Sequence, residues 1–172
     1  MAAGTRARRL PQLDGRRREQ MVMLIQTTRF GTIEVDDDKL ITFEQGLLGF
    51  PKCTRFALIQ TNPEAVFFWL QSVDIANLAF VVCDPRAFVP DYQVGIRRDE
   101  VANLELGGDD DCQVLVIVNK VDGRLTGNLL GPLVIGATSR LGRQFVLSDK
   151  RYSTRQPLMD APGVARATAK SA

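Results

Sequence analysis

The segment from Phe67 to Tyr92, FFWLQSVDIANLAFVVCDPRAFVPDY, places the tightest constraint on what this chain can become. Two apolar runs, Val66–Leu70 and Leu78–Cys83, flank a short polar turn, Gln71–Asn77, and the second run stops at Asp84-Pro85. Runs of five or six residues rich in β-branched and aromatic side chains form strands, because such side chains fit a pleated surface and crowd a helix. The runs are continuously apolar and do not alternate, which predicts strands covered on both faces. The aromatic density of Phe67, Phe68, Trp69 and Phe80 fits a core better than a ligand box. The loop that follows, Asp84–Tyr92, mixes Arg, Phe and Tyr between prolines, a composition found at interaction hot spots and also in loops that fold their aromatics inward.

The rest of the chain repeats this grammar. Short apolar runs at Met23–Thr27, Thr32–Val35, Lys39–Phe43, Phe56–Gln60, Tyr92–Ile96, Val114–Val118, Leu125–Leu129, Leu133–Ala137 and Gln144–Leu147 read as strands. Turn signals separate them: Arg29-Phe30-Gly31, Asp122-Gly123, Gly131-Pro132 and Leu141-Gly142. One helix is expected, Asp99–Leu104, with acids in its first turn. The predicted fold class is all-β and mainly antiparallel: a small barrel-like domain with one short helix. The domain is expected over 21–158, between an Arg-rich disordered tail at 1–20 and a disordered C-terminal tail at 159–172. Met21 and Met23 sit where a start would be, so the Arg-rich stretch reads either as translated upstream sequence or as a basic arm that orders on binding.

Composition removes several chemistries. The chain has no His, the commonest general base and metal ligand. Its three Cys, at 53, 83 and 112, form no CxxC pair, so neither a zinc site nor a disulfide framework is expected, and reduced cytoplasmic conditions suit them. No nucleophile elbow and no phosphate-binding loop is present. The acidic stretches Asp36–Asp38 and Gly107–Asp111 lack the ligand spacing of a calcium loop and read as solvated turns. No enzyme, cofactor, metal or small-molecule ligand is expected, nor any run long enough to span a membrane. The six Arg of residues 1–20 conceal a folded part that is mildly acidic, about −3 over 21–157.

Nine ordered blocks then match a known pattern: Arg29-Phe-Gly-Thr-Ile-Glu-Val35, Ile41-Thr-Phe-Glu-Gln-Gly46, Gly49-Phe-Pro51, Trp69-Leu-Gln-Ser72, Leu78-Ala-Phe-Val-Val82, Asp84-Pro85 with Pro90-Asp-Tyr92, Asn128-Leu-Leu-Gly-Pro-Leu-Val-Ile135, Tyr152-Ser-Thr-Arg155, and Pro157-Leu158. Together they make the chain resemble the flagellar assembly factor FliW family. Two positions depart from that family's usual look: Arg86 after Asp-Pro, and Gln156 before Pro-Leu. The resemblance implies a non-catalytic β domain that binds the translational regulator CsrA, relieves repression of flagellin mRNA, and also binds flagellin in a partner-switching feedback. It implies no direct contact with nucleic acid. The competing expectation is an RNA-binding β-barrel that uses the Arg-rich tail as a phosphate clamp. For the partner surface, loop position and residue type nominate Asp84, Phe88, Asp91 and Tyr92, with Glu44 and Asp74 as further acidic candidates.

Overall fold

The computed structural model describes residues 21–162. Eleven strands follow in chain order: β1 (Val22–Thr27), β2 (Gly31–Asp36), β3 (Ile41–Phe43), β4 (Arg55–Ile59), β5 (Phe67–Ser72), β6 (Ala79–Cys83), β7 (Cys112–Val121), β8 (Arg124–Gly127), β9 (Leu133–Gly136), β10 (Leu141–Gln144) and β11 (Gln156–Asp160). β1 and β2 form a hairpin sheet of their own. The other strands run β11-β8-β7-β6-β5-β4-β3-β10-β9, and β9 pairs again with β7. That last pairing closes seven strands into a barrel, leaving β8 and β11 as a flap hinged on β7. The expected all-β, barrel-like class is what the chain adopts.

Alternation of side chains along each strand sorts the core into an inside and an outside. Ile41, Phe43, Phe56, Leu70, Val82, Leu115, Leu133 and Ile135 fill the barrel interior, with Phe68 and Phe80 packed against them. The opposite faces of the same strands are also covered. Cys83, Val116 and Val118 pack beneath Tyr92 and Leu129, with Phe88 and Val89 against them. Val134 packs beneath Leu104 and Phe145, and Ala57 packs with Ile25 of the β1–β2 hairpin and with Leu40, which precedes β3. Neighbours such as Val82 and Cys83 are therefore both buried, one in each layer. This is why the runs are continuously apolar. β5 obeys the same rule: outward-facing Phe67 stacks on Phe88 at 5.6 Å, and Trp69 lies under the Arg29 guanidinium, 4.1 Å from its ring centre. Outward-facing Gln71 is fully buried, and its amide Nε2 donates to the carbonyls of Ser72 and Leu78 at 3.0 and 3.1 Å, tying down the β5–β6 turn.

Four expectations require correction. Asp99–Leu104 is not a helix; it is a turn followed by the three-residue 3-10 segment Ala102–Leu104, ended by Glu105 at φ +51°. Six residues cannot offset the cost of nucleating a helix, and the Glu100 carboxylate accepts the Arg97 N–H at 2.9 Å, closing a turn. Tyr92–Ile96 is not a strand. It pairs with neither β6 nor β7 and crosses the barrel's outer face through its side chains. The strand expected at Gln144–Leu147 ends where it was to begin and occupies Leu141–Gln144. β11 was not expected; Pro157 is tolerated there because β11 is an edge strand, with a register shift between Pro157 and Met159. β11 carries the ordered chain past the expected boundary at 158, and Ala161 beyond it is buried. The expected tails at 1–20 and from 163 onward lie outside the described residues.

The barrel's one parallel junction, β3 with β10, rests on two register pairs, Leu141↔Thr42 and Gly142↔Phe43. A Cβ on Gly142 would lie 2.6 Å from the ring of fully buried Phe43. Gly142→Ala is expected to lower stability by about 1–3 kcal/mol, the usual cost of overpacking a rigid core, as a shift of the urea midpoint at unchanged slope.

Candidate partner-binding surface

The β6–β7 connection begins as a small structured cap. The Asp84 carboxylate accepts the Arg86 N–H at 2.9 Å and starts the 3-10 segment Pro85–Ala87, with buried Pro85 as its first residue. Val89 and Phe88 donate backbone N–H groups back to the Pro85 carbonyl at 2.8 and 3.1 Å. This winding turns the Phe88 ring inward onto Phe67 and leaves Asp84, Arg86 and Asp91 exposed. Tyr92 then enters the core. Only 2% of it is exposed, its hydroxyl donates to the Leu129 carbonyl at 2.7 Å, and its ring lies 4.8 Å from that of Tyr152.

Tyr92 is therefore corrected from contact residue to structural anchor. A phenol whose donor is satisfied inside the core has nothing left for a partner. Phe88 is half-buried against Phe67. The remaining nominated residues are exposed but do not converge. β6 separates the Asp74 turn at its start from Asp84 at its end, about 16 Å for five residues at strand rise. Glu44 follows β3 at the same end as Asp74, since β3 pairs with the start of β4 and that start pairs with the end of β5. Asp74 is itself engaged with Arg55 at 3.6 Å, a solvent-exposed pair that contributes little. The structure thus presents two surfaces: an Asp84–Asp91 surface at one barrel end, and a Glu44–Asp74 surface at the other.

At the Glu44 end the structure adds an element that residue typing passed over. The loop Glu44–Pro51 folds back on itself through Leu47 and Phe50, with Gly46 and Gly49 at positive φ. It lifts Leu48 into solvent, 60% exposed, while the Leu48 N–H donates to the Gln144 side chain at 2.8 Å. Between this loop and β10 lies a cavity of about 250 Å³ lined by Leu47, Leu48, Pro51, Leu104 and Arg143, with Glu44 at its edge. The glycines and Phe50-Pro51 announced a structured loop; that Leu48 points outward could not be read from them.

The acidic turn Gly107–Asp111 is less solvated than expected. Asp111 accepts from the Gly107 N–H at 3.0 Å and from the Thr138 N–H and hydroxyl at 2.9 and 2.7 Å, bonds that hold its carboxyl below the usual range. It staples the start of β7 to the β9–β10 turn. Among the described residues no cluster of His, Cys, Asp or Glu is arranged to hold a metal ion, and no helix is long and apolar enough to cross a membrane.

A closed seven-strand barrel, wrapped by its own long connection and flanked by the β1–β2 hairpin, defines the class: a small all-β protein. The FliW protein family model matches residues 24–158. Similar proteins include a flagellar assembly factor FliW of Magnetococcus marinus, 39% identical over 140 residues, covering 80% of this chain and 85% of that one. Another, from Natranaerobius thermophilus, is 38% identical over 144 residues, covering 82% and 95%. A crystal structure of the flagellar assembly factor FliW superimposes with a TM-score of 0.72 at 32% identity, covering 80% of this chain and 97% of that one. The chain belongs to the flagellar assembly factor FliW family.

Two buried acids of the cap report its integrity. Burial, then the neighbouring Asp84 carboxylate, pushes the Cys83 thiol up to about 12. Burial, then Tyr152 and Asp149, raises the Tyr92 phenol. Both groups hold their protons more tightly folded than unfolded. Their contribution is therefore complete below the unfolded values, near pH 9–10, and is lost as pH climbs toward 12. Tyr92→Phe is expected to cost about 1–2 kcal/mol at neutral pH by leaving the Leu129 carbonyl unpaired, and to flatten the alkaline fall in stability. Chemical denaturation at a series of pH values checks both. At pH 8, a thiol reagent is expected to modify Cys83 only at the rate of unfolding.

Proposed function

We propose that this chain acts in the cytoplasm, without catalysis, by binding the translational regulator CsrA and flagellin, and that it relieves CsrA repression of flagellin mRNA. The observation that carries the reading is family membership along an unbroken 24–158, nearly the whole described domain. Electrostatics supports it. An RNA-binding regulator presents cations to phosphates, and a domain of about −3 is attracted to such a face. Exposed Asp84 and Asp91 give that attraction a local address. If the domain binds beside the RNA site, the antagonism is a coupling free energy and is reciprocal, and a tenfold effect needs only ~1.4 kcal/mol. Flagellin competes by occupying the same molecule, so free flagellin restores repression and its export relieves it.

The purified chain and its cognate CsrA are expected to co-elute in size-exclusion chromatography at micromolar concentrations; separate elution overturns the reading. The double variant Asp84→Lys/Asp91→Lys is expected to weaken the complex about tenfold or more; it also removes the Asp84 cap, at about 1 kcal/mol of stability, a cost that Asp84→Asn avoids by keeping the capping oxygen. Glu44→Lys is the comparison at the other barrel end. If it alone weakens binding, CsrA sits on the Leu48 surface.

A further inference from the structure

A strand edge of the barrel is left open at the end of β4. The Val73 N–H donates to the Arg55 carbonyl, so Arg55, Ala57 and Ile59 aim their backbone groups at β5. By alternation, Thr54, Phe56, Leu58 and Gln60 aim theirs the other way. Thr54 and Phe56 meet β3 there, through the Phe43 N–H on the Thr54 carbonyl and the Ile41↔Phe56 pair. Continuing that register would set Lys39 opposite Leu58, but Asp37–Lys39 is a 3-10 turn that carries the chain away. Leu58 and Gln60 therefore present backbone donors and acceptors that no strand takes up. β2 has a matching edge. The Asp37 N–H donates to the Met21 carbonyl, which fixes the hairpin's phase and turns the backbone groups of Thr32, Glu34 and Asp36 away from β1.

Both edges line one cavity of about 850 Å³. Its apolar lining includes Ile33, Val35, Leu58 and Ile59. Three carboxylates border it, Glu34, Asp36 and Asp38. Of its two cations, Lys39 is engaged with Asp36 at 2.9 Å, and Arg140 donates to the Lys39 carbonyl at 2.8 Å. Free backbone edges select a backbone, the apolar lining selects every second side chain, and the excess of three carboxylates over two cations favours positive charge on the rest.

We infer that this groove between β2 and β4 binds an extended, basic segment of a partner polypeptide by strand addition to the Leu58–Gln60 edge. The inference stands apart from the identity of any partner in the proposed function. It assigns the cavity to a peptide in which apolar and cationic side chains alternate. An occupant of this kind leaves the barrel intact, since β4 keeps its pairing with β5.

The probe is a terminally blocked ten-residue peptide of alternating Lys and Val added to the full chain, with a Glu-Val peptide as its charge opposite. Amide hydrogen exchange read residue by residue is expected to slow at least fivefold at Leu58 and Gln60 with Lys-Val and to stay unchanged with Glu-Val. Gln60→Pro removes an outward-facing N–H and is expected to abolish the effect. Glu34→Lys/Asp38→Lys keeps the edge and is expected to reverse the peptide preference. Unchanged exchange at millimolar Lys-Val overturns the inference, as does equal protection by both peptides. Protection that rises with protein concentration and no peptide assigns the edge to a second copy of the chain and overturns it too. A chain that binds Lys-Val but not CsrA sinks the proposed function and leaves the groove standing, and CsrA binding without peptide protection does the reverse.

Discussion

Everything in this fold hangs on β7 using one edge twice. Residues Cys112–Leu115 pair with β9 and close the barrel; Val118–Val121 pair with β8 and carry the flap. The opposite edge holds β6 through Val116–Val118. A strand that serves three neighbours cannot shift register without exchanging its inward Leu115 and Ile117 for its outward Val116 and Val118. The apolar surface on both sides makes that exchange nearly neutral for burial, so register must be held by other means. The Asp111 staple and the Asp122-Gly123 turn, both residues at positive φ, sit at the two ends of β7 and supply them.

Burial on both faces also dictates what surrounds the barrel. The outward faces of β6, β7 and β9 need cover, and with no helix to provide it the β6–β7 connection does the work. Tyr92, Leu104 and half-buried Phe88 are the side chains by which it holds on. The same connection that seals the barrel thus exposes Asp84 and Asp91 at its bends. Scaffold and surface are one segment, so the aromatic residues are spent on stability while the acidic ones remain free for partners.

Legibility followed the physics of each feature. Strands with apolar runs and Gly or Pro punctuation were readable, because burial and turn chemistry are local properties of side chains. Asp122-Gly123 and Asp36–Asp38 were read as turns; the chain turns at Asp122-Gly123 and through the 3-10 segment Asp37–Lys39, one residue later than read. Tyr92–Ile96 misled because Val94 and Ile96 turn partly buried side chains onto the barrel in the manner of a strand, while their backbone pairs with no strand. Pro157 concealed β11, since a proline argues against a strand unless its neighbour on one side is solvent. For the surface, Asp84 and Asp91 were exposed as residue type suggested, whereas Tyr92, equally suggestive in a Pro-bracketed loop, found its hydrogen bond at Leu129, distant in the chain.

By itself the sequence determined the all-β class, the two-sided burial of its central strands, and family membership, because these depend on composition, periodicity and ordered blocks. Only the tertiary structure decided which end of the barrel each candidate residue occupies, which aromatic side chains are consumed by the core, and where a strand edge stays unpaired. Those outcomes depend on register and on contacts between residues far apart in the chain. Backbone donors and acceptors are the same at every non-proline position, so a free edge leaves no mark in the letters.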